Sequence, residues 1–365
     1  MRFECLVTRP SGARLGRLET AHGVVETPAF MPVATHGAVK GISPRLLREL
    51  GATIVLSNAY HLAQRPGVET VEALGGLHRM MAWDGPILTD SGGFQVMSLA
   101  ALVRVEDVGV HYRSHVDGRA GMLTPEECVG VQERLGVDVA MSLDQCVGAG
   151  APTADVARAV RRTTEWAARG LAARRRADTA LFGIVQGGFD TALRAESAAS
   201  LVALGFDGYA VGGVSVGEPP AETARIAGAT IGALPADRPR YLMGVGTPGD
   251  LIRFAGMGYD LFDCVLPTRN ARNGMLFTRH GKLAIRNAAH ARDPRPVEEG
   301  CPCYTCLHYS RGALRHLTMV REMLGAQLLT LHNLHFYLSL MRAIRAAIAD
   351  DAFPGRLADV AGAWA

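Results

Sequence analysis

The sequence predicts an α/β fold, a closed (β/α)8 barrel, on three observations. Eight short apolar runs recur, helix-like segments lie between most of them, and polar residues gather where the runs end. The runs are Pro28–Val33, Thr53–Ser57, Pro86–Thr89, Asp138–Leu143, Leu181–Val185, Gly208–Val211, Arg240–Val245 and Tyr259–Val265. None alternates polar with apolar residues, which is how parallel strands covered on both faces read. The helical segments are Pro44–Leu50, Pro125–Leu135, Ala154–Ala177, Thr191–Leu204, Pro220–Leu234 and Pro248–Met257. Four of them open on proline, which costs no hydrogen bond in a first helical turn. Eight strands alternating with helices predict a TIM barrel. A doubly wound open sheet is the runner-up, but no G-x-G-x-x-G follows the first run.

Two segments interrupt the alternation. Residues 94–120 read as an insertion with hairpin character, carrying Val110-His-Tyr-Arg and the turn Asp117-Gly118. Residues 274–287 read as a second hairpin, Met275-Leu-Phe-Thr and Leu283-Ala-Ile-Arg around the turn His280-Gly281. Next comes Cys301-Pro-Cys303-Tyr-Thr-Cys306, with His332 following after a gap of 25 residues. Three thiolates and an imidazole make a closed tetrahedral shell of the structural zinc type. The plain alternative is three buried or redox thiols beside an unrelated histidine, and His308, His316 and His335 rival His332 as fourth ligand. A long helical tail is expected from Arg311 to Asp350. The whole is expected to form one catalytic domain over residues 1–365. The barrel would take 1–273, the hairpin and zinc-binding subdomain 274–335, and a tail packed on the barrel 311–365.

Composition is that of an ordinary globular chain, with 365 residues, 48% hydrophobic and 20% charged. A net charge of +3 gives no strong attraction to a polyanion from the total alone. Among the basic residues only Lys40 and Lys282 are lysine. The arginine excess suits phosphate and base edges, although a GC-rich genome explains it as well. Seven cysteines, unpaired outside the metal cluster, and an N-terminal Met1-Arg2-Phe3-Glu4-Cys5 without an apolar signal run point to a reducing cytoplasm. No stretch of 18 apolar residues suggests a membrane span.

The polar residues at the run ends carry the chemistry. In a barrel these ends converge on one face. They supply Asp90-Ser91-Gly92-Gly93-Phe94, Asp144-Gln145-Cys146, Gln186-Gly187-Gly188, Gly212-Gly213-Val214, Met243-Gly244 and Asp263 within Leu261-Phe-Asp-Cys. A carboxylate inside an apolar run is costly without a partner or a purpose. Glycines at these ends let backbone N–H groups approach a flat ligand. Phe94 and Met243 could sandwich a planar ring. Asp144 can accept from two adjacent N–H groups and Gln186 can donate to a carbonyl, a set that matches the edge of a guanine-like base. Asp90 and Asp263 then suit cleavage at an anomeric carbon, one attacking and one handling protons.

With these residues the chain resembles the bacterial tRNA-guanine transglycosylases, also called queuine tRNA-ribosyltransferases. The motifs are Asp90-Ser-Gly-Gly-Phe-Gln-Val, Gly183-Ile-Val-Gln-Gly-Gly, Val211-Gly-Gly-Val-Ser-Val-Gly-Glu218, Tyr241-Leu-Met-Gly-Val-Gly, Phe262-Asp-Cys-Val-Leu-Pro-Thr-Arg269 and the cysteine–histidine set. The resemblance implies a barrel enzyme bearing one structural Zn2+ per chain. It would exchange the wobble guanine of G-U-N-anticodon tRNAs for a 7-deazaguanine in queuosine biosynthesis. It implies Asp263 as nucleophile and Asp90 as general acid/base. Asp144, Gln186 and the Gly213 backbone would read the base between Phe94 and Met243, with Ser91, Gly92, Gly93, Gly212, Val214 and Glu218 completing the pocket. The anticodon loop would be held by the turn Gly244-Val245-Gly246-Thr247-Pro248-Gly249-Asp250 and by Thr268, Arg269, Asn270, Ala271 and Arg272. A homodimer is implied as well.

The chain departs from the family pattern in places. Gln145-Cys146-Val147-Gly148 stands where many members carry Glu-Cys and a proline, and Val214-Ser215 replaces the commoner Leu-Ala. Val216 matches bacterial members, so the aminomethyl base preQ1 is expected over queuine. The competing expectations are salvage of queuine, plain base hydrolysis, and a non-catalytic RNA-binding partner subunit. The arginines of Arg158–Arg176 read either as a phosphate track or as a solvated outer face.

Overall fold

The computed structural model describes residues 1–93, 103–114 and 116–364. The chain opens with an antiparallel sheet of β1 (Arg2–Thr8), β2 (Arg14–Thr20) and β3 (Gly23–Thr27). β4 (Ala29–Ala34), α1 (Pro44–Glu49) and β5 (Val55–Asn58) follow. Three short helices, α2 (Ala59–Gln64), α3 (Val68–Ala73) and α4 (Leu77–Met81), then lead to β6 (Ile87–Asp90). A second antiparallel sheet comes next, β7 (Val103–Glu106), β8 (Gly109–Arg113) and β9 (Ala120–Leu123). From there helix and strand alternate: α5 (Pro125–Leu135), β10 (Val139–Met141), α6 (Thr153–Ala173), β11 (Ala180–Val185), α7 (Thr191–Leu204), β12 (Gly208–Val211), α8 (Pro220–Ile231), β13 (Arg240–Leu242), α9 (Pro248–Gly256) and β14 (Leu261–Cys264). Strands β4, β5, β6 and β10 to β14 close into one parallel barrel, with β14 pairing back onto β4. All eight predicted runs are its strands.

Local signals set the helix limits. Thr124 and Glu127 form a reciprocal capping box at the start of α5, and Gly136 ends it in the left-handed region. Asp190 caps α7 by accepting from the N–H groups of Ala192 and Leu193, and Gly205 terminates it. Inside the barrel Met31, Leu56, Leu88, Met141, Phe182, Ile184 and Tyr241 pack as one cluster. Large apolar side chains removed from water contribute about 1.5–3 kcal/mol each. Leu18 and Val25 of the N-terminal sheet join this cluster. Arg14 on β2 forms a buried ion pair with Asp260, which precedes β14, so the sheet closes the barrel at its strand-start end. At the same end Asp138 accepts from His22 Nδ1 at 2.9 Å and His78 Nε2 at 3.1 Å.

Three sequence expectations change. The barrel begins at Ala29 rather than at residue 1, because residues 2–27 build the end cap; β1 alternates exposed and half-buried positions, so no apolar run marks it. The insertion is a three-stranded sheet rather than a hairpin among the described residues, with β9 reaching Leu123. The helical tail expected from Arg311 to Asp350 is interrupted, forming two helices over Arg311–Met319 and Met323–Ala349.

Beyond the barrel come α10 (Leu266–Arg272), the hairpin of β15 (Met275–Thr278) and β16 (Gly281–Ala284), α11 (Tyr304–His308), α12 (Arg311–Met319), α13 (Met323–Ala349) and α14 (Ala358–Ala363). The break between α12 and α13 falls at Val320–Glu322, where Arg321 has φ +60°. A three-residue link leaves the apolar periodicity on both sides nearly in phase, which hides it from pattern reading. Among the described residues no helix is long and apolar enough to cross a membrane.

Candidate active site and metal centre

The strand ends open onto a cavity of about 540 Å³. Asp90, Ser91, Gly93, Asp144, Gln186, Gly212, Gly213, Val214, Met243 and Asp263 all line it. Gly244, Gly246, Thr247, Asp250 and Arg269 line it as well. Parallel pairing sets this convergence. Asn58 lies opposite Asp90 in the β5–β6 register, and Asp263 opposite Met31 in β14–β4.

Asp263 is half-buried and held on one side only. Its Oδ1 accepts from the Tyr241 hydroxyl at 2.6 Å and from the Gly244 N–H at 2.8 Å. Oδ2 accepts no hydrogen bond from the described residues, which leaves it for a ligand. Burial pushes the Asp263 carboxyl above the usual carboxylate range, and the two hydrogen bonds oppose that rise. Asp90 is fixed differently: Asn58 Nδ2 donates to its Oδ2, and the Ala59 N–H donates to Oδ1 at 3.2 Å.

Asp144 forms the opposite wall. Ser91 Oγ donates to its Oδ1 at 2.9 Å and Gln186 Nε2 to its Oδ2 at 2.7 Å. Burial raises its pKa despite both bonds. The amide orientation of Gln186 follows from this contact, since its oxygen facing a carboxylate would repel. Gln186 Oε1 is buried without a partner in the described residues. The glycines here are sterically required. A Cβ on Gly93 would lie 2.0 Å from Asp144 Oδ1, and one on Gly213 would lie 2.5 Å from Gln186 Oε1.

Other expected site residues are placed less directly. Phe94 lies outside the described residues. Gly92 and Glu218 do not line the cavity. Glu218 accepts from the N–H groups of Ser215 and Val216 and from Thr223 Oγ1, so it shapes the loop after β12 from behind. Burial works the other way, yet these donors hold its carboxyl below the usual range. Val245 and Ala271 are packed in the core, and Pro248 is buried as well. Gly249 packs against Trp364, where an added Cβ would lie 2.5 Å from the carbonyl oxygen. Thr268 bonds back to the Val265 carbonyl, and Asn270 is half-buried. Arg269 and Arg272 are exposed on α10 with no carboxylate partner among the described residues. Burial, and then the Arg269 charge, lowers the Arg272 pKa.

By contrast, Arg162, Arg169, Arg174 and Arg176 form ion pairs with Asp107, Glu126, Asp207 and Asp178. They behave as a structural outer face. Sequence reasoning missed Asn58, Tyr241 as the anchor of Asp263, and Arg194. A tyrosine within an apolar strand has a hydroxyl that needs a partner, and that was the available signal.

In the C-terminal region Cys301, Cys303, Cys306 and His332 bring one donor atom each within 4.8 Å of one another. His332 Nδ1 lies 4.0, 3.5 and 3.3 Å from the three sulfurs in that order. Its Nε2 faces the Phe277 carbonyl at 2.9 Å, so that nitrogen carries the proton and Nδ1 presents its lone pair to the cluster. The four can hold a metal ion, and His308, His316 and His335 are not part of the group. The next residue, Asn333, donates to the carbonyls of Pro267 and Met275 and accepts from the Phe277 N–H. That single amide ties α13 to α10 and the hairpin.

His22, His78 and Asp138 also lie close together. Their rings stack at 3.6 Å with 19° between planes. An ion between them would sit roughly 1.8 Å from each ring plane, incompatible with in-plane bonds of about 2.0–2.1 Å. The arrangement is a carboxylate bridging two imidazoles.

Residues 9–365 match the family described as Queuine tRNA-ribosyltransferase. The chain belongs to the queuine tRNA-ribosyltransferase family. Relatives carrying that name include one from Moorella thermoacetica, 53% identical over 353 residues, covering 97% of this chain and 94% of that protein. One from Desulforudis audaxviator is 55% identical over 342 residues, covering 93% and 92%. One from Methylobacillus flagellatus is 52% identical over 348 residues, covering 95% and 94%. Membership in the queuine tRNA-ribosyltransferase family makes the chain an enzyme of the pentosyltransferase class. In this chain Asp90, Asp144, Gln186 and Asp263 line one cavity.

Proposed function

We propose that this protein exchanges the wobble guanine of G-U-N-anticodon tRNAs for preQ1 through a covalent aspartyl-ribose intermediate. One observation carries the reading. A single cavity holds Asp144 with Gln186 on one wall and Asp263 with a free Oδ2 on the other. Asp144 accepts the N1–H and exocyclic amine of the bound guanine in place of its resting donors. Asp263 Oδ2 attacks C1′ of the ribose as the C1′–N9 bond breaks. The departing base takes the bonding electrons and a proton from Asp90. The incoming base gives its N9 proton to Asp90 and attacks C1′, and the Asp263 carboxylate leaves. Two inversions retain configuration, and no external energy source enters. Arg269 and Arg272 hold the anticodon loop at the rim through phosphate contacts.

The cysteine–histidine cluster holds one structural zinc. Bonds of about 2.3 Å to sulfur and 2.0–2.1 Å to nitrogen in a tetrahedron put sulfur and nitrogen about 3.6 Å apart. The three distances of 3.3–4.0 Å bracket that value. The ion crosslinks the knuckle to α13 and takes no part in the exchange. Exposed Met319, Val320, Met323 and Leu324 at the α12–α13 junction support a homodimer, whose state light scattering would give. Seven cysteines without a disulfide support a reducing cytoplasm.

The test is incorporation of labelled preQ1, queuine or guanine into unmodified tRNA. Guanine and preQ1 should enter, with queuine poorer. Base release without replacement would indicate a hydrolase, and no turnover a non-catalytic RNA-binding subunit.

A further inference from the structure

Two arginines are almost wholly buried, and they are buried differently. Arg14 is neutralised by Asp260. Arg194, 1% exposed, has no carboxylate partner among the described residues. Its guanidinium is spent on carbonyls instead. Nε donates to Gly188 at 2.8 Å, and Nη2 donates to Gly212 at 3.0 Å and to Gly213 at 3.2 Å. Nη1 is buried with no partner in the described residues. Burial lowers its pKa to about 10, so it stays charged at neutral pH. An unneutralised buried cation is costly, and a methionine of similar size would fill the space without that cost.

The three carbonyls belong to the loops after β11 and β12, which carry Gln186 and Gly213. A peptide group is planar and trans, so its C=O and N–H point in opposite directions. With the Gly212 and Gly213 carbonyls turned onto Arg194, the N–H groups of Gly213 and Val214 turn away from it. Gly213 itself lines the base cavity, together with Cys146 and Gln186. The Val214 N–H has no protein acceptor among the described residues. Gly213 sits at φ +64°, a backbone state that favours glycine, and nothing else among the described residues bonds to these two carbonyls. A carbonyl bonded to a cation also polarises its own N–H as a donor.

We propose that Arg194 is a positioning residue for base recognition, locking the Gly212–Val214 peptides so that their N–H groups face the carbonyl oxygen of the base. This rests on the base-exchange reading of the cavity. Lysine cannot replace it, because one ammonium lacks the fork that spans two loops.

The test is steady-state exchange of labelled guanine by Arg194→Lys and Arg194→Gln at saturating tRNA, followed by titration of tRNA at saturating base. Both variants should raise KM for the free base about tenfold or more, while kcat and KM for tRNA change about threefold or less. A role confined to folding lowers the active fraction, which reduces kcat and leaves KM unchanged. Arg194→Lys keeps the charge and the stem, so it guards against loss of the fold. Unchanged base KM in both variants overturns the proposal while the exchange reading stands. No exchange by the wild-type chain overturns both.

Discussion

Tyr241→Phe isolates what anchors the proposed nucleophile. Tyr241 is 1% exposed, and phenylalanine keeps its ring and loses only the hydroxyl. The lost contact is a 2.6 Å bond from O–H to Asp263 Oδ1, leaving the Gly244 N–H as that oxygen's one donor among the described residues. A hydrogen bond to a charged group contributes about 1.5–3 kcal/mol. It favours the ionised form alone, so its loss moves the Asp263 pKa further in the direction burial already drives it, upward. The ionised nucleophile disappears as pH falls through that pKa. The acid limb of kcat therefore moves to higher pH, and on that limb the variant runs about 10- to 100-fold slower than wild type. The deficit narrows as pH rises. The assay is single-turnover base exchange with prebound tRNA from acid to alkaline pH, with melting temperature as a control. A uniform loss at every pH, or an unmoved acid limb, would refute the argument that this hydroxyl tunes Asp263.

Two further outcomes follow from the geometry. Asp144→Ala leaves Gln186 Nε2, Ser91 Oγ and the ligand's N–H groups unpaired, so KM for the free base should rise about 10- to 100-fold. Binding of tRNA, measured by filter retention, should change much less, and an equal loss in both would move Asp144 out of the base-reading role. His332→Ala should reduce zinc from about one per chain toward none and lower the melting temperature. Full retention of metal by elemental analysis would reassign the fourth ligand.

The barrel was legible because parallel strands buried on both faces read as short apolar runs without polar alternation. β11 is buried at all six positions from Ala180 to Val185, and the run Leu181–Val185 marks it in the sequence. The amphipathic cap strands and the short helices α2 to α4 give weaker signals and were not seen. The candidate site was legible as residue types at run ends, since strand ends must converge once a barrel closes. Its internal wiring was not. The bond from Tyr241 to Asp263 spans 22 residues, and that from Gln186 to Asp144 spans 42. Only the closed fold creates them. Arg194 was hidden among many arginines, and its bonds go to three carbonyls that no side-chain motif records.

The most direct test is to quench enzyme and tRNA in denaturant without incoming base, digest the adduct, and map the modified peptide by mass spectrometry. A tRNA-derived ribose on the Asp263 carboxylate, absent in Asp263→Ala, is the predicted result. An adduct that persists in Asp263→Ala, or that maps to Asp90, would contradict the assignment of Asp263 as the nucleophile.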